Sequence, residues 1–303
     1  MQLSDAIAGY LLARTADGLS PGTLGTYKWA LHLFAASVGE ITVEAITLEA
    51  AQVFMASLSD HYKNKSRENV WIALKAFDKW REAELGLPKF FKVERPPTDY
   101  DQPVPFSEDE MKRLLKAAQF TRAAQTTKRK AFAMKRHTAA RDTALLLLML
   151  DTALRAGEVC RLRVGDVDLK DGAVQIGAWG SGKKTKSRVV YLGAKTRKAV
   201  WRIAQGRKPD APLFTSDDRP MTPNSVMKLY HHLGHAAEVA NCHPHRMRHT
   251  ASIQFLRNGG DVFSLQRMLG HSDLAMSRKY VLIANTDLQD AHFRASPADN
   301  WRL

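Results

Sequence analysis

The sequence predicts a mainly α protein with a small antiparallel β-sheet, an α+β fold, in two domains. Apolar residues recur at spacings of three and four through most of the chain, as at Leu24, Tyr27 and Leu31, which is typical of helices with one buried face. Only "AVQIGAW" and "SRVVYLG" have strand character. The turn-forming "GSGKKTK" between them predicts a hairpin. A chain of 303 residues is long enough for two separate cores.

Residues 1–95 are predicted to form a compact bundle of four or five helices. In "LSPGTLGTYKWALHLF", Ser20 is a suitable N-cap and Pro21 suits the first helical position. Residues 96–105 hold four prolines and few apolar groups, which predicts a linker. The second domain, 106–303, opens on Ser107 and Glu110, the pattern of a capping box.

Charge is concentrated in the second domain. The chain carries a net charge of +14, and residues 1–95 contribute none of it, with 11 Lys/Arg against 11 Asp/Glu. This excess favours a polyanionic partner such as DNA. Residues 121–141 hold seven Lys/Arg and no acid, which predicts either a helix or loop near DNA or simply a solvated face.

Composition argues against a membrane or secreted protein. The longest strongly apolar run, 144–150, is far shorter than a bilayer span. No basic-then-apolar leader opens the sequence. Cys160 and Cys242 are the only cysteines, too few for a disulfide framework. We therefore expect a cytoplasmic, nucleoid-associated protein.

Several short motifs carry residues suited to phosphate chemistry. Arg155 lies at the turn in "TALRAGEV", where it either interacts with a helix C-terminus or binds two phosphate oxygens. His245 and Arg248 are three residues apart and share one helix face, with Arg246 and His249 beside them. Asp261 and Gly270 predict the start and end of a helix that places His271 at its terminus.

Two further motifs have competing interpretations. Lys183, Lys184 and Lys186 lie on the hairpin turn, where lysines are usually only solvated but can also protonate a leaving oxygen. A histidine-rich stretch offers His231 and His235 at a spacing that zinc ligands use, with further candidates at Cys242, His243 and His245. Since no acidic or cysteine set completes that site, neither metal nor cofactor is predicted.

Together these motifs provide arginines, histidines, a lysine and Tyr280, a set suited to phosphoryl transfer without a metal. Ionising a phenol of pKa ~10 at neutral pH costs roughly 4 kcal/mol, which a nearby base and cations can offset. Guanidinium and imidazole donors would stabilise charge on a pentacoordinate phosphorus. The carboxylate cluster that a two-metal nuclease needs is missing from these motifs.

The chain resembles the tyrosine recombinase (phage integrase) family over most of its length. The resemblance rests on "TALRAGEVCRLRVGDVDL", "GKKTKSRVVYLG", "HPHRMRHTASIQFLRNGG" and "LQRMLGHSDLAMSRKY", in the family's order and spacing. It implies a two-domain member in which residues 1–95 form a SAM-like core-binding domain and residues 106–303 an integrase-type catalytic domain. It also implies a homotetramer acting on two double-stranded DNA sites through a Holliday junction.

The resemblance also implies roles for six residues. Arg155 and Arg248 would clamp the scissile phosphate, with His271 as a further donor. His245 would be the general base, Lys183 the general acid, and Tyr280 the nucleophile that forms a 3′-phosphotyrosine. Glu158 would support the turn that carries Arg155.

Departures from the family pattern leave alternatives open. Because Lys184 stands where a glycine is usual, Lys184 or Lys186 is an alternative acid. Tyr191 is a second phenol, although its strand position favours packing. The tail, about 281–303, docks either on a neighbouring subunit or on its own domain.

The sequence also leaves alternative functions open. They are a type IB topoisomerase-like activity and a catalytically silent DNA-binding protein. For a recombinase, integration, excision, transposition and resolution all stay open as natural roles.

Overall fold

The computed structural model describes residues 1–97, 103–121, 124–126, 129–179, 187–271, 280–281, 296 and 298, with the backbone alone at 124–126 and 129–132. The chain folds into two compact units. The first contains the N-terminal residues as far as Asp101, and the second contains most residues from Gln102 onward. Among the described residues, no helix is long and apolar enough to cross a bilayer.

The first unit is a helical bundle, as the sequence predicts. Its helices are α1 (Leu3–Ala16), α2 (Pro21–Val38), α3 (Leu48–Ser57) and α4 (Asn64–Leu85), with a 3-10 turn at Val43–Ala45. Ser20 caps α2 by accepting a hydrogen bond from Thr23 N at 3.2 Å. The apolar faces bury an aromatic core in which Tyr10 meets Phe77 edge to face, with ring centroids 5.5 Å apart.

The second unit is also mainly helical. Its helices are α5 (Glu108–Gln119), α6 (Ala139–Thr152), α7 (Ala156–Val159), α8 (Ala194–Ala204), α9 (Pro223–Ala237), α10 (Pro244–Arg257) and α11 (Val262–Leu269). The predicted capping box on α5 is present, since Ser107 Oγ accepts from Glu110 N and the Glu110 carboxylate accepts from Ser107 N. Helix α6 is apolar because it is buried, with Leu145, Leu146 and Leu148 fully inaccessible.

The described residues of the second unit also form short antiparallel hairpins: β1 (Ala124–Thr126) with β2 (Arg129–Phe132), β3 (Ala173–Ile176) with β4 (Arg188–Tyr191), and β5 (Thr215–Ser216) with β6 (Arg219–Pro220). The β3–β4 hairpin confirms the sequence prediction, with Val174 opposite Val190. For the residues that form β1 and β2, the prediction of a helix or loop within 121–141 is wrong. These two strands are paired through backbone hydrogen bonds. The stretch is so polar that no alternation of apolar residues in the sequence could indicate a strand.

Alternation along β4 separates an inner from an outer face. Val190 is buried, whereas Val189 and Tyr191 are exposed, because successive strand residues point to opposite sides. Tyr191 is 64% exposed, so the expectation that it packs is wrong. The same alternation turns Arg188 toward the inner face with Val190.

Helix α11 is fixed at both ends as the sequence predicts. Asp261 Oδ1 accepts from Phe263 N and Ser264 N, both at 2.9 Å. Gly270 ends the helix in the left-handed conformation, with φ 67°, which a residue without a side chain adopts at little cost. Leu265 and Leu269 are fully buried, so the rigid helix places His271 just beyond its end.

Candidate active site

The candidate site lies in the second unit, where five parts of the chain converge. It is built from the α6–α7 turn, the start of β4, one face of α10, the end of α11, and Tyr280. The side chains that meet there are Arg155, Glu158, Arg188, His245, Arg248, His249, Ser252, His271 and Tyr280.

The turn between α6 and α7 fixes Arg155. Helix α6 is followed by its C-cap Ala153, a buried non-glycine residue with φ 52°. The backbone N–H of Arg155 then donates to Glu158 Oε2 at 2.8 Å, and its Nη1 donates to Glu158 Oε1 at 3.2 Å. Glu158 therefore supports this turn, in agreement with the role expected for it. The Arg155 side chain is 39% exposed, so it lies where a ligand can reach it.

Glu158 is a buried carboxylate shared by two arginines. Its side chain is 1% exposed, and Arg188 Nη1 and Nη2 donate to its two oxygens at 3.1 and 2.9 Å. Burial by itself raises the pKa of Glu158, but the hydrogen bonds and charge of Arg188, with those of Arg155, lower it overall. The carboxylate is thus held ionised between the turn and the hairpin.

Arg188, in the strand "SRVVYLG", is a site residue to which the sequence analysis assigned no role. Besides binding Glu158, its Nε donates to the carbonyl of Met268 at 2.8 Å, so it joins β4 to α7 and α11. The signal that identifies it is strand alternation: a charged side chain in phase with Val190 and Leu192, both buried, must face inward and needs a partner there.

Arg248 is held almost completely inside the unit. It is 2% exposed, and it donates to the carbonyls of Ala153 at 2.6 Å and Leu269 at 2.9 Å. Burial, with the nearby Arg155 charge, lowers the pKa of Arg248 to about 10, so the guanidinium is still protonated at neutral pH. These bonds tie α10 to the ends of α6 and α11.

His271 joins the same group through Arg248. Its Nε2 lies 3.2 Å from Arg248 Nη2. Since arginine only donates, Nε2 is the acceptor and the imidazole proton resides on Nδ1. The turn after α11 is held further by a bond from His271 N to the carbonyl of Gln266 at 3.2 Å. The structure thus brings His271 next to Arg248, and its role as a phosphate donor stays a prediction.

Tyr280 reaches α10 and ends beside two polar side chains. It is 2% exposed, and its Oη lies 2.9 Å from Nδ1 of His249. Ser252, one turn further along α10, is a second polar side chain that acts on the phenol. Burial raises the pKa of Tyr280, while Arg248, Ser252 and Arg155 act to lower it.

The sequence analysis placed His249 only in a basic patch. The ring of His245 lies edge-on to that of His249, with centroids 4.3 Å apart, because residues four apart share a helix face. His245 is exposed and His249 is half-buried. Arg246, from the same patch, instead binds Glu110 at 2.9 Å and stacks over Phe106, so it has a structural contact with the start of α5.

Some predicted residues lie outside the described part of the chain. Lys183, Lys184 and Lys186 are among them, and so is the tail apart from residues 281, 296 and 298. Their roles stay predictions.

Within the described ranges, no group of three or more His, Cys, Asp and Glu side chains is placed to hold a metal ion. Burial raises the pKa of Cys242 to about 11, and His243 caps α10 through Nδ1.

One prediction concerns the close contact between Gly270 and Arg188. A Cβ added at Gly270 would lie 3.2 Å from Arg188 Nη1, whereas one added at Gly206, with φ +73°, would meet nothing within 4 Å. Both alanine variants carry left-handed strain of roughly 1–2 kcal/mol. We expect Gly270→Ala to lose more unfolding free energy than Gly206→Ala in urea titrations. Equal losses would show that Arg188 yields to the new methyl group without cost.

The second unit brings arginines, imidazoles and a phenol together in one cluster, a set suited to phosphoryl transfer. Residues 106–286 match the sequence model of the phage integrase family. The match covers more than half of the 303 residues, and the chain belongs to that family.

Full-length relatives agree with this assignment. The chain is 25% identical to the tyrosine recombinase XerA of Thermococcus onnurineus, over 97% of this chain and 96% of the relative. It is 26% identical to the tyrosine recombinase XerC of Pelobacter propionicus, over 93% and 92%.

Solved structures show the same fold. The Tn1549 transposon integrase in complex with circular intermediate DNA superposes with a TM-score of 0.75 at 17% identity, covering 98% of this chain and 99% of that one. A lambda integrase dimer bound to a core site gives 0.73 at 15% identity, covering 92% and 77%. The predicted family, fold class and enzyme class, a site-specific DNA recombinase, are confirmed. Domain bounds and individual residue roles stay predictions.

Proposed function

We propose that this recombinase cuts and rejoins DNA through Tyr280, with a 3′-phosphotyrosine intermediate. The observation that carries the proposal is the position of the Tyr280 phenol. Its oxygen is hydrogen bonded to an imidazole at 2.9 Å in the same cluster as Arg248, His271 and Arg155. A nucleophile, proton acceptors and fixed cations are what transfer of a phosphodiester to a phenol requires.

The proposed step exchanges one phosphate ester bond for another. The Tyr280 oxygen attacks phosphorus, the bond from phosphorus to the 5′-oxygen breaks, and Lys183 gives a proton to that oxygen. The phenol proton passes to an imidazole, which the family resemblance identifies as His245. Since the ester to Tyr280 replaces the broken ester, a 5′-hydroxyl of another strand reverses the step without ATP.

Arg155 and Arg248 differ in exposure, and we assign them different tasks in binding the phosphate. Arg155 is partly exposed and is suited to contact a phosphate that arrives from solution. Arg248 is locked by two backbone carbonyls, so its direction is fixed before DNA binds. Such preorganised donors stabilise developing charge with little reorganisation. His271, held by Arg248 with its proton on Nδ1, supplies a further donor.

Double-stranded DNA is the proposed partner, and a homotetramer on two sites is the proposed assembly. The net charge of +14 lies within residues 96–303 and favours a polyanion. The solved structures of the Tn1549 and lambda integrases, which share the fold, contain these proteins bound to DNA. Mass photometry of the protein with two-site duplexes would test the assembly. If no complex contained more than two copies of the protein, the proposed homotetramer would be contradicted.

A covalent trap tests the chemistry. The protein would be incubated with a randomised duplex library, denatured, and the DNA that stays attached to protein amplified and sequenced. We expect wild type to select a site and Tyr280→Phe to give no adduct while still binding that site. Peptide mass spectrometry should place the 3′-phosphate on Tyr280. Attachment at another residue, or none at all, would contradict the proposal.

The selected site then separates recombination from topoisomerase activity. Two differently labelled duplexes that carry it should yield recombinant strands by way of a four-way junction. Relaxation of a supercoiled plasmid bearing the site, with no exchange between duplexes, would favour a type IB topoisomerase-like enzyme.

A further inference from the structure

We propose that His249 is a further catalytic residue, the one that accepts the phenolic proton of Tyr280. The inference deepens the proposed function and rests on it. It assigns the base directly to the imidazole that touches the reacting oxygen, and it leaves His245 to the phosphate.

The first support is contact with the nucleophile. His249 Nδ1 lies 2.9 Å from Tyr280 Oη, within the reach that a general base needs. In the neutral tautomer with its proton on Nε2, Nδ1 carries a lone pair and accepts the O–H of the phenol. Helix α10 fixes the ring at mid-helix, between the buried residues Arg248 and Thr250.

The second support is the set of groups placed to receive the resulting phenolate. Ser252 Oγ donates to the carbonyl of Arg248 at 2.8 Å, and Ser252 also acts to lower the pKa of the Tyr280 phenol. A hydroxyl hydrogen rotates, so Ser252 can turn its donor to the phenolate once the proton leaves. The positive charges of Arg248 and Arg155 act on the same oxygen. Burial still raises the pKa of Tyr280 overall, so the phenol needs a base in contact with it, and these groups offset part of the cost of the anion.

The third support is the division between two imidazoles on one helix face. His245 lies edge-on to His249 at 4.3 Å and is exposed, so it is the ring that a DNA phosphate meets. His249 is half-buried behind it, next to Tyr280. The exposed ring is thus placed to meet a phosphate and the half-buried ring to meet the phenol.

The proton inventory closes over one cycle. His249 Nδ1 takes the proton from Tyr280 as the phenol oxygen bonds to phosphorus, and the 5′-oxygen leaves with a proton from the general acid. When a 5′-hydroxyl attacks the phosphotyrosine, its proton returns to the general acid, and Tyr280 leaves and recovers its own proton from His249. No oxidant, nucleotide or metal enters the balance.

The test compares His249→Asn with wild type on a nicked duplex of the selected site, at single turnover from pH 6 to 9.5. Asparagine retains a polar group near Nδ1 but accepts no proton. We expect adduct formation about 10²-fold slower at pH 7, since general bases contribute 10²–10⁴. The deficit should narrow with rising pH as hydroxide replaces the base. His231→Asn, an exposed histidine of the same unit, is the matched control and should behave as wild type.

A sulfur substrate separates the base from the acid. With a 5′-bridging phosphorothiolate, whose leaving group needs no proton, loss of the acid is rescued but loss of the base is not. His249→Asn should therefore stay slow, and added imidazole should restore His249→Ala. Wild-type rates for His249→Asn, or rescue by sulfur, would overturn the inference. Failure of wild type to form a Tyr280 adduct would instead overturn the proposed function.

A measurement that needs no His249 variant covers the case in which those variants unfold. With ¹⁵N-labelled histidine, the Nδ1 resonance of His249 should shift and its titration should change in Tyr280→Phe, because the hydrogen bond is lost. An unchanged His249 spectrum would overturn the inference without any DNA.

Discussion

Arg188→Ala is expected to lower the unfolding free energy of the second unit by about 3 kcal/mol. Removing one partner of a buried ion pair costs roughly 3–5 kcal/mol, because the remaining charge is left buried. Glu158 is 1% exposed and Arg188 8%, so little water can replace the lost guanidinium. We place the loss at the lower end because Arg155 still contacts the carboxylate at 3.2 Å. Urea unfolding, followed by circular dichroism, measures it.

Two controls bear on this result. Lys112→Ala removes an exposed pair with Glu108, both side chains being at least 70% exposed, and should cost far less unfolding free energy than Arg188→Ala. The double variant Arg188→Met with Glu158→Gln removes both charges and should recover part of the loss. A loss for Arg188→Ala no larger than that for Lys112→Ala would show that the pair is not buried in solution.

The same pair sets an acid dependence. The pKa of Glu158 is lowered in the folded protein, so its contribution to stability is present above the ordinary glutamate pKa of about 4.3 and is lost as pH falls through the lowered value. In Arg188→Ala the main group that lowers the pKa is gone, so this part of the acid sensitivity should shrink. Unfolding curves between pH 3 and 7 would reveal the difference.

Arg155→Ala is expected to slow DNA cleavage by roughly 10²–10³-fold, the cost of losing a preorganised donor to transition-state charge. The effect on folding should be small, since the side chain is 39% exposed and Arg188 keeps Glu158 paired. Arg155→Lys should recover only part of the rate, because an ammonium cannot bind two oxygens in one plane. Single-turnover adduct formation on the selected nicked duplex measures the rate.

Binding must be measured beside cleavage in this case. Arg197→Ala removes a cation of the same unit that donates to the carbonyl of Lys170 and belongs to no part of the site, so cleavage by bound enzyme should stay near that of wild type. If Arg155→Ala cleaves normally once saturated with DNA, then Arg155 serves only to hold the DNA, and its proposed place at the scissile phosphate is wrong.

The sequence by itself determined the elements and the list of candidates. Ser20, Ser107 and Asp261 predict helix starts because each side chain can accept from the N–H groups of its own first turn, and Gly270 predicts a helix end because its left-handed backbone is a local property. Hydrophobic periodicity located the β3–β4 hairpin and the buried α6. The ordered motifs identified the family, and with it Arg155, Arg248, His271 and Tyr280.

Only the tertiary structure decided which of these side chains touch. Tyr280 lies 31 residues after His249 in the sequence. His245 and His249 share a helix face, so their spacing alone cannot say which of them contacts Tyr280. That depends on where the chain returns to α10. Arg188 gained its role because β4 packs beside Glu158 and Met268, contacts 30 and 80 residues distant. Local rules act over one helical turn or one strand, whereas a catalytic contact is set by packing between elements.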